Sequence, residues 1–343
     1  MNINEIRRKI THQLTSGLGR SVSTHNDVLD PQKVRNILIS RPNHRLGNTL
    51  LITPLIQEVH KVFPEAKIDI SLIGGVGHGV FQEYDHVDKL ITLPKKHFKE
   101  LGKYLASWFR LRKTNYDLAI NVEQGSSSGR ISLQIANSKF KFFGDDQDLK
   151  KDSEHIAKYP VLNFRSYIAS LGIKSETAEI PTLNLMLTNQ EKQLGKTQLQ
   201  DLTKSEKPTI CLFTYATGAK CFSQDWWTTF YNHLQKKYPQ FNFIEILPIE
   251  NVSQIDFQVP SFYSSDIRLM TAVMHNCIAF IGADSGIMHL ASAAQIPVIG
   301  LFKSRAEKYG PYGNSSDAII VADDNMQVCL EKVDRILETV ISK

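Results

Sequence analysis

The chain has 343 residues, 42% of them hydrophobic and 22% charged, an ordinary soluble composition and more than one core usually accommodates, so two domains are expected. No apolar run approaches the roughly 20 residues that cross a bilayer, and the polar start MNINEIRRKITHQL lacks the apolar segment of a signal peptide, which points to the cytoplasm. The four cysteines, Cys211, Cys221, Cys277 and Cys329, are too scattered for a CxxC metal pair or a disulfide framework. Net charge is +5, yet residues 1–160 hold 24 Lys and Arg against 17 Asp and Glu while the remainder holds 16 against 18. The basic character therefore belongs to the N-terminal half.

In chain order, residues 1–33 read as an appendage, with one short amphipathic helix (Ile6, Ile10, Leu14) and a polar, turn-rich stretch. From residue 34 short β-branched runs alternate with helical stretches. VRNILIS is followed by a turn containing Arg41, His44, Arg45, Gly47 and Asn48, then by the helix LLITPLIQEVHKVF. KIDISLI, DKLITL, YDLAINV and KFKFFG are the further strands. GGVGHG (74–79) does not fit G-x-G-x-x-G and has no acidic partner at the expected place, so it reads as a turn. KKHFKELGKYLASWFRLRK (95–113) is a basic helix with interleaved aromatics, suited either to an anionic lipid surface or to an ordinary protein surface.

Residues 171–206 read as a linker. A second series then runs PTICLFTY, DWWTTFYNHLQKKY, FNFIEILP, DIRLMTAVMHN, CIAFIGA, GIMHLASAAQ, PVIGLF and AIIVA, with a C-terminal helix over 326–343. Strands separated by helices of this length predict an α/β fold, with two Rossmann-like domains over 34–170 and 207–325. Ligands of open parallel sheets bind beyond the carboxyl ends of the strands, so the chemistry is expected in the loops that follow strands, around a central cleft.

The most informative segment is FIGADSGIMHLASAAQIPVIGLFKSRAEKYGPYG (280–313). Asp284-Ser285-Gly286 ends a strand and opens a helix whose first turn carries Met288 and His289. Backbone N–H groups and the positive end of the helix dipole suit a diphosphate there. The alternative is a plain N-cap, with His289 packed on the helix face.

DSGIMHLASAAQIPVIGLF followed by GPYG resembles the signature of the family 9 glycosyltransferases, the heptosyltransferases of lipopolysaccharide core assembly. ILISRPNHRLGNTLLITPLIQEVHKVFPEAKIDISLI and DHVDKLITL are similar to the first domain of that family. Lys220-Cys221-Phe222-Ser223 with Trp227 matches a further motif loosely, Phe and Ser replacing Trp and Pro. The resemblance implies a GT-B fold, two Rossmann-like domains whose parallel sheets face a central cleft. It also implies inverting transfer of a heptose from a nucleotide sugar, ADP-heptose, held by the C-terminal domain.

On that likeness the diphosphate lies against Asp284-Ser285-Gly286, with Met288 and His289 in the same turn, and Lys220 is the phosphate-binding lysine. Glu250 holds the ribose, Ser265 meets the adenine, and Thr214 and Thr217 contact the phosphates. Lys220 and Glu250 could equally be solvated loop residues. The acceptor implied is an anionic lipid-linked glycan at the inner membrane surface, which suits the basic half, with Arg41, Arg45 and Arg130 as its bidentate contacts. No cofactor, no metal and no nucleic-acid partner is expected.

One departure bears on catalysis. Where the family has the carboxylate of a Gly-Asp turn, taken as the general base, this sequence has Asn48, and an amide cannot accept a proton at neutral pH. Such a base is worth roughly 10²–10⁴-fold. His44 in the same turn is the preferred substitute, because imidazole takes up protons near neutral pH. Glu123, at the end of a neighbouring strand, is another. A third reading makes Asn48 an orienting group, and a fourth makes the protein a catalytically impaired nucleotide-sugar or glycan binder.

Overall fold

The computed structural model describes residues 29–94, 101–144, 155–175, 179–313, 315–321 and 325–342. The sequence-predicted helix around Ile6–Leu14 and the first part of the basic helix lie outside these residues. Among the described residues the chain divides into two units. One holds 29–144, 157–175 and 179–181, and the other holds 155, 156 and the chain from 182 onward.

In the first unit the strands are β1 (Asn36–Ser40), β2 (Lys67–Ile73), β3 (Val87–Leu93), β4 (Asn115–Asn121) and β5 (Asn137–Phe142). All pair parallel, in the order β3-β2-β1-β4-β5. The helices between them are α1 (Leu46–Leu50), α2 (Thr53–Val62), α3 (Val76–Phe81), α4 (Leu101–Lys113) and α5 (Ser127–Ile135), followed by α6 (Tyr159–Ser170). Crossover helices leave central strands with little access to water on either face, and Ile37, Leu38 and Ile39 of β1 are accordingly all buried. GGVGHG is only partly a turn, since its residues from Val76 onward open α3. A buried ion pair ties α6 to α2: Arg165 donates to both oxygens of Glu58, at 2.7 and 2.9 Å, and Ser175 adds a third bond at 2.7 Å.

The second unit begins with α7 (Asn189–Thr203), then β6 (Thr209–Phe213), α8 (Gln224–Lys237), β7 (Asn242–Ile246), β8 (Ser261–Phe262) and α9 (Ile267–His275). It continues with β9 (Ala279–Ala283), α10 (Gly286–Ala293), β10 (Val298–Phe302), α11 (Ala306–Tyr309), β11 (Asp317–Ile320) and α12 (Met326–Ile341). Its sheet is again wholly parallel, in the order β11-β10-β9-β6-β7-β8.

Most of the stretch read as a linker belongs to this second unit. α7 starts with a capping box between Thr188 and Glu191. It packs closely along α9, because a Cβ at Gly195 would come within 2.2 Å of the Ala272 carbonyl oxygen. Arg268 of α9 donates to both carboxylate oxygens of Glu191, at 2.5 and 2.8 Å. The Arg268 guanidinium, first, and the Thr188 bonds hold the Glu191 carboxyl down at about 2 against burial. Polar composition suggested a linker because α7 buries only a narrow stripe, Gly195 and Leu199.

Candidate functional site

In each sheet the strand order reverses at one place, between β1 and β4 and between β6 and β9, and loops part in opposite directions there. Both places hold a cation facing a carboxylate.

In the second unit the loop after β6 runs through Thr217 into a short 3-10 turn (Gly218–Lys220) and then to Ser223, which caps α8 by accepting from the Trp226 N–H. Lys220 lies at the end of that turn. Its ammonium is 2.6 Å from the Asp284 carboxylate, which follows β9, and the lysine side chain is 55% exposed. Ser285 caps α10 with its hydroxyl, accepting from the Met288 N–H at 3.3 Å. The other N–H groups of that first turn have no partner within the helix. Glu250 follows β7 and Ser265 follows β8, both exposed. The sheet order therefore sets out Ser265, Glu250, Lys220 and Asp284 along one edge, one after each successive strand.

The floor of these loops is a buried carboxylate. Glu245 near the end of β7 accepts from Thr214 at 2.5 Å and from Ser253 at 2.6 Å, and the Thr214 oxygen accepts from the Gln254 N–H at 3.0 Å. Burial pushes the Glu245 carboxyl up while the two hydroxyls hold it down. The loops after β6 and β7 are thereby tied together beneath Lys220 and Glu250. A Glu within the apolar run FIEIL was the sequence signal for this tie.

In the first unit Arg41 leaves β1 and stands 3.9 Å from Glu123, which leaves β4, while the Val122 N–H bonds the Ser40 carbonyl at 3.1 Å. The Asn43 side chain accepts from the Arg45 N–H at 2.9 Å, and this Asx turn starts α1. Asn48 is half-buried within α1, while His44 and Arg45 are exposed on the loop. Among the described residues no group of three or more His, Cys, Asp or Glu is arranged to hold a metal ion, and no helix is long and apolar enough to cross a membrane.

Residues 265–339 match the model of glycosyltransferase family 9 (heptosyltransferase). Over 342 residues the chain is 24% identical to lipooligosaccharide heptosyltransferase 2 of Haemophilus influenzae, covering 88% of this chain and 92% of that one. The chain is thus similar to the family 9 glycosyltransferases. Its fold is that of the GT-B heptosyltransferases. A family 9 glycosyl transferase from Veillonella parvula superposes with a TM-score of 0.74 at 15% identity, covering 91% of this chain and 98% of that one. The ADP-heptose lipopolysaccharide heptosyltransferase II of E. coli superposes with a TM-score of 0.67 at 16% identity, covering 89% and 99%.

Several sequence-predicted contacts turn inward. The Thr214 hydroxyl is committed to Glu245 and Gln254, so it is not presented to a phosphate, whereas Thr217 is exposed. Met288 is fully buried beneath Gly300, where a Cβ would come within 2.8 Å of its sulfur, and it is a core residue. Arg130 is buried in α5, its guanidinium 3.4 Å from the Gln124 carbonyl and 5.8 Å from the Phe143 ring centroid, so it braces the loop after β4. Its place in a helix, not in a loop, is the reason. His289 is also buried, with Nδ1 lacking a hydrogen-bond partner among the described residues. Burial first, then His155 and Lys220, hold its imidazole neutral, with a pKa of about 3. His155 itself packs in this second unit, its Nε2 3.0 Å from the Gly310 carbonyl and its ring stacked on Tyr312. No sequence pattern marked that neighbour.

Proposed function

We propose that the protein is an inverting glycosyltransferase that moves a heptose or a closely related sugar from ADP-heptose to a lipopolysaccharide core-type acceptor. The observation that carries this reading is the Lys220–Asp284 pair across the β6/β9 reversal, at the head of α10 and beside the loops of Glu250 and Ser265. A diphosphate placed there meets the Lys220 ammonium and the first N–H groups of α10, with Ser285 and Gly286 supplying backbone. Glu250 then takes the ribose, Ser265 the base, and Thr217 the phosphate edge. His289 buttresses the helix start as a neutral group.

In the reaction an acceptor hydroxyl oxygen forms a bond to the anomeric carbon from the face opposite the diphosphate, and the sugar–phosphate C–O bond breaks. The electron pair leaves on the diphosphate, where Lys220 and the helix start stabilise it without a metal. The hydroxyl proton passes to His44, with Asn48 orienting the hydroxyl. Glu123 is the second candidate, favoured by its place at the β1/β4 reversal opposite Arg41. Arg41 and Arg45 receive the acceptor's anionic groups.

α4 supports work at the inner membrane surface as a peripheral protein. Leu105 and Phe109, one turn apart, are 60% and 70% exposed beside Arg110, Arg112 and Lys113, while Leu111 faces the core. The test is incubation with ADP-heptose and a heptose-deficient core lipid, following ADP release and the anomeric configuration of the product. Tight ADP-heptose binding with no ADP release would replace this reading with that of a non-catalytic binder.

A further inference from the structure

The order of loops along the second sheet continues past the diphosphate position. Beyond Asp284 come the loop after β10, which begins with Lys303, and the end of β11 at Val321. Between these and the start of α8 lies a cavity of about 360 Å³, lined by Cys221, Phe222, Ser223, Trp226, Lys303 and Val321. One wall is a stack of rings: Trp226 lies between Phe222, at 4.4 Å, and Phe230, at 5.2 Å. The Lys303 ammonium stands 5.2 Å from the centroid of Phe222. Lys303 thus brings a cation to the rim of an aromatic cavity, over a ring face.

With the nucleoside toward β7 and β8 and the diphosphate at β6 and β9, this cavity lies on the sugar side of the donor. A cavity with apolar walls accepts the body of a pyranose, and an ammonium at its rim suits a phosphate or carboxylate on that ring. We infer that the cavity is a subsite for a phosphate- or carboxylate-bearing sugar of the acceptor, and that Lys303 reads its charge. The inference rests on the donor placement proposed above. It makes Lys303 a specificity-determining residue that selects a charged over a neutral acceptor sugar.

Cys221 offers a direct readout. It lines the cavity and is half-buried, whereas Cys211, Cys277 and Cys329 are buried, so a thiol reagent such as DTNB reports on it in the folded chain. With ADP saturating, glucose 6-phosphate should slow Cys221 labelling at least about fivefold, and glucose at the same concentration should not. Loss of a charge-assisted contact in Lys303→Met should raise the glucose 6-phosphate needed by roughly 10- to 100-fold, Lys303→Arg should restore much of it, and ADP affinity by calorimetry should stay within about twofold. Unchanged protection in Lys303→Met would overturn the subsite, as would displacement of glucose 6-phosphate by ADP, which would place the anion in the diphosphate position. Failure of ADP itself to bind the unaltered protein would refute the donor placement instead, and is read in the same titration.

Discussion

Replacing Lys220 by alanine separates structural from functional roles of its ion pair with Asp284. Without ligand the pair is short, 2.6 Å, but its ammonium is 55% exposed, and such pairs contribute no more than about 1 kcal/mol to stability. The melting temperature should therefore move by less than about 4 °C. With a diphosphate bound the same ammonium serves two anions. Its loss removes a charge-assisted hydrogen bond worth about 1.5–3 kcal/mol. It also leaves Asp284 facing the diphosphate without compensation. Two unit charges about 4 Å apart repel by about 1 kcal/mol in water and by more as solvent is excluded. Together these come to about 3–4 kcal/mol, or roughly 100- to 1000-fold in Kd for ADP. Asp284→Asn in the Lys220→Ala background should recover about tenfold, because only the repulsive part is relieved. Isothermal titration with ADP, beside thermal melts of each variant, measures both quantities. An ADP Kd for Lys220→Ala within threefold of the unaltered protein would refute the assignment of Lys220 to the diphosphate.

His44→Ala should lower kcat by roughly 10²–10⁴-fold with ADP affinity unchanged, whereas Glu123→Gln doing so instead would transfer the role of base to Glu123. Acid stability should report His289. Its folded pKa of about 3 lies below the ordinary value of 6.5, so the unfolded chain takes up the proton first. Its share of stability is complete above pH 6.5 and falls by about 1.4 kcal/mol per pH unit below that, levelling near pH 3. Urea titrations between pH 7 and 4 should show this slope and its loss in His289→Leu. Sedimentation with anionic vesicles at low salt should carry the protein down, and Phe109→Asp or raised salt should leave it in the supernatant. Absence of binding at low salt would count against a membrane role for α4.

Local patterns determined much of this protein. Alternation of β-branched runs with amphipathic helices was enough for two parallel α/β units, because a strand followed by a crossover helix returns to the same sheet. The same logic placed the loops of Arg41, Lys220 and Asp284 at the carboxyl ends of strands, and Ser285 was legible as a cap from its place before the helix. The Asn48 departure needed no structure, since it concerns what an amide can do.

What the sequence did not contain was which side chains meet. Lys220 and Asp284 touch only because β9 lies beside β6, an order set by crossovers and not by chain sequence. The Thr214 hydroxyl is taken up because Glu245 is buried beneath it, and Met288 is a core residue because Gly300 leaves room for its sulfur. Arg130 turns inward because SSSGR begins a helix. The cavity at Lys303 assembles from three loops and from rings that stack at the start of α8. Periodicity records which face of an element is apolar, but whether a polar side chain faces water or a partner depends on residues that only folding brings near. That is why the sequence alone located the loops of the candidate site, and only the tertiary structure distinguished the residues that line it from those that hold it up.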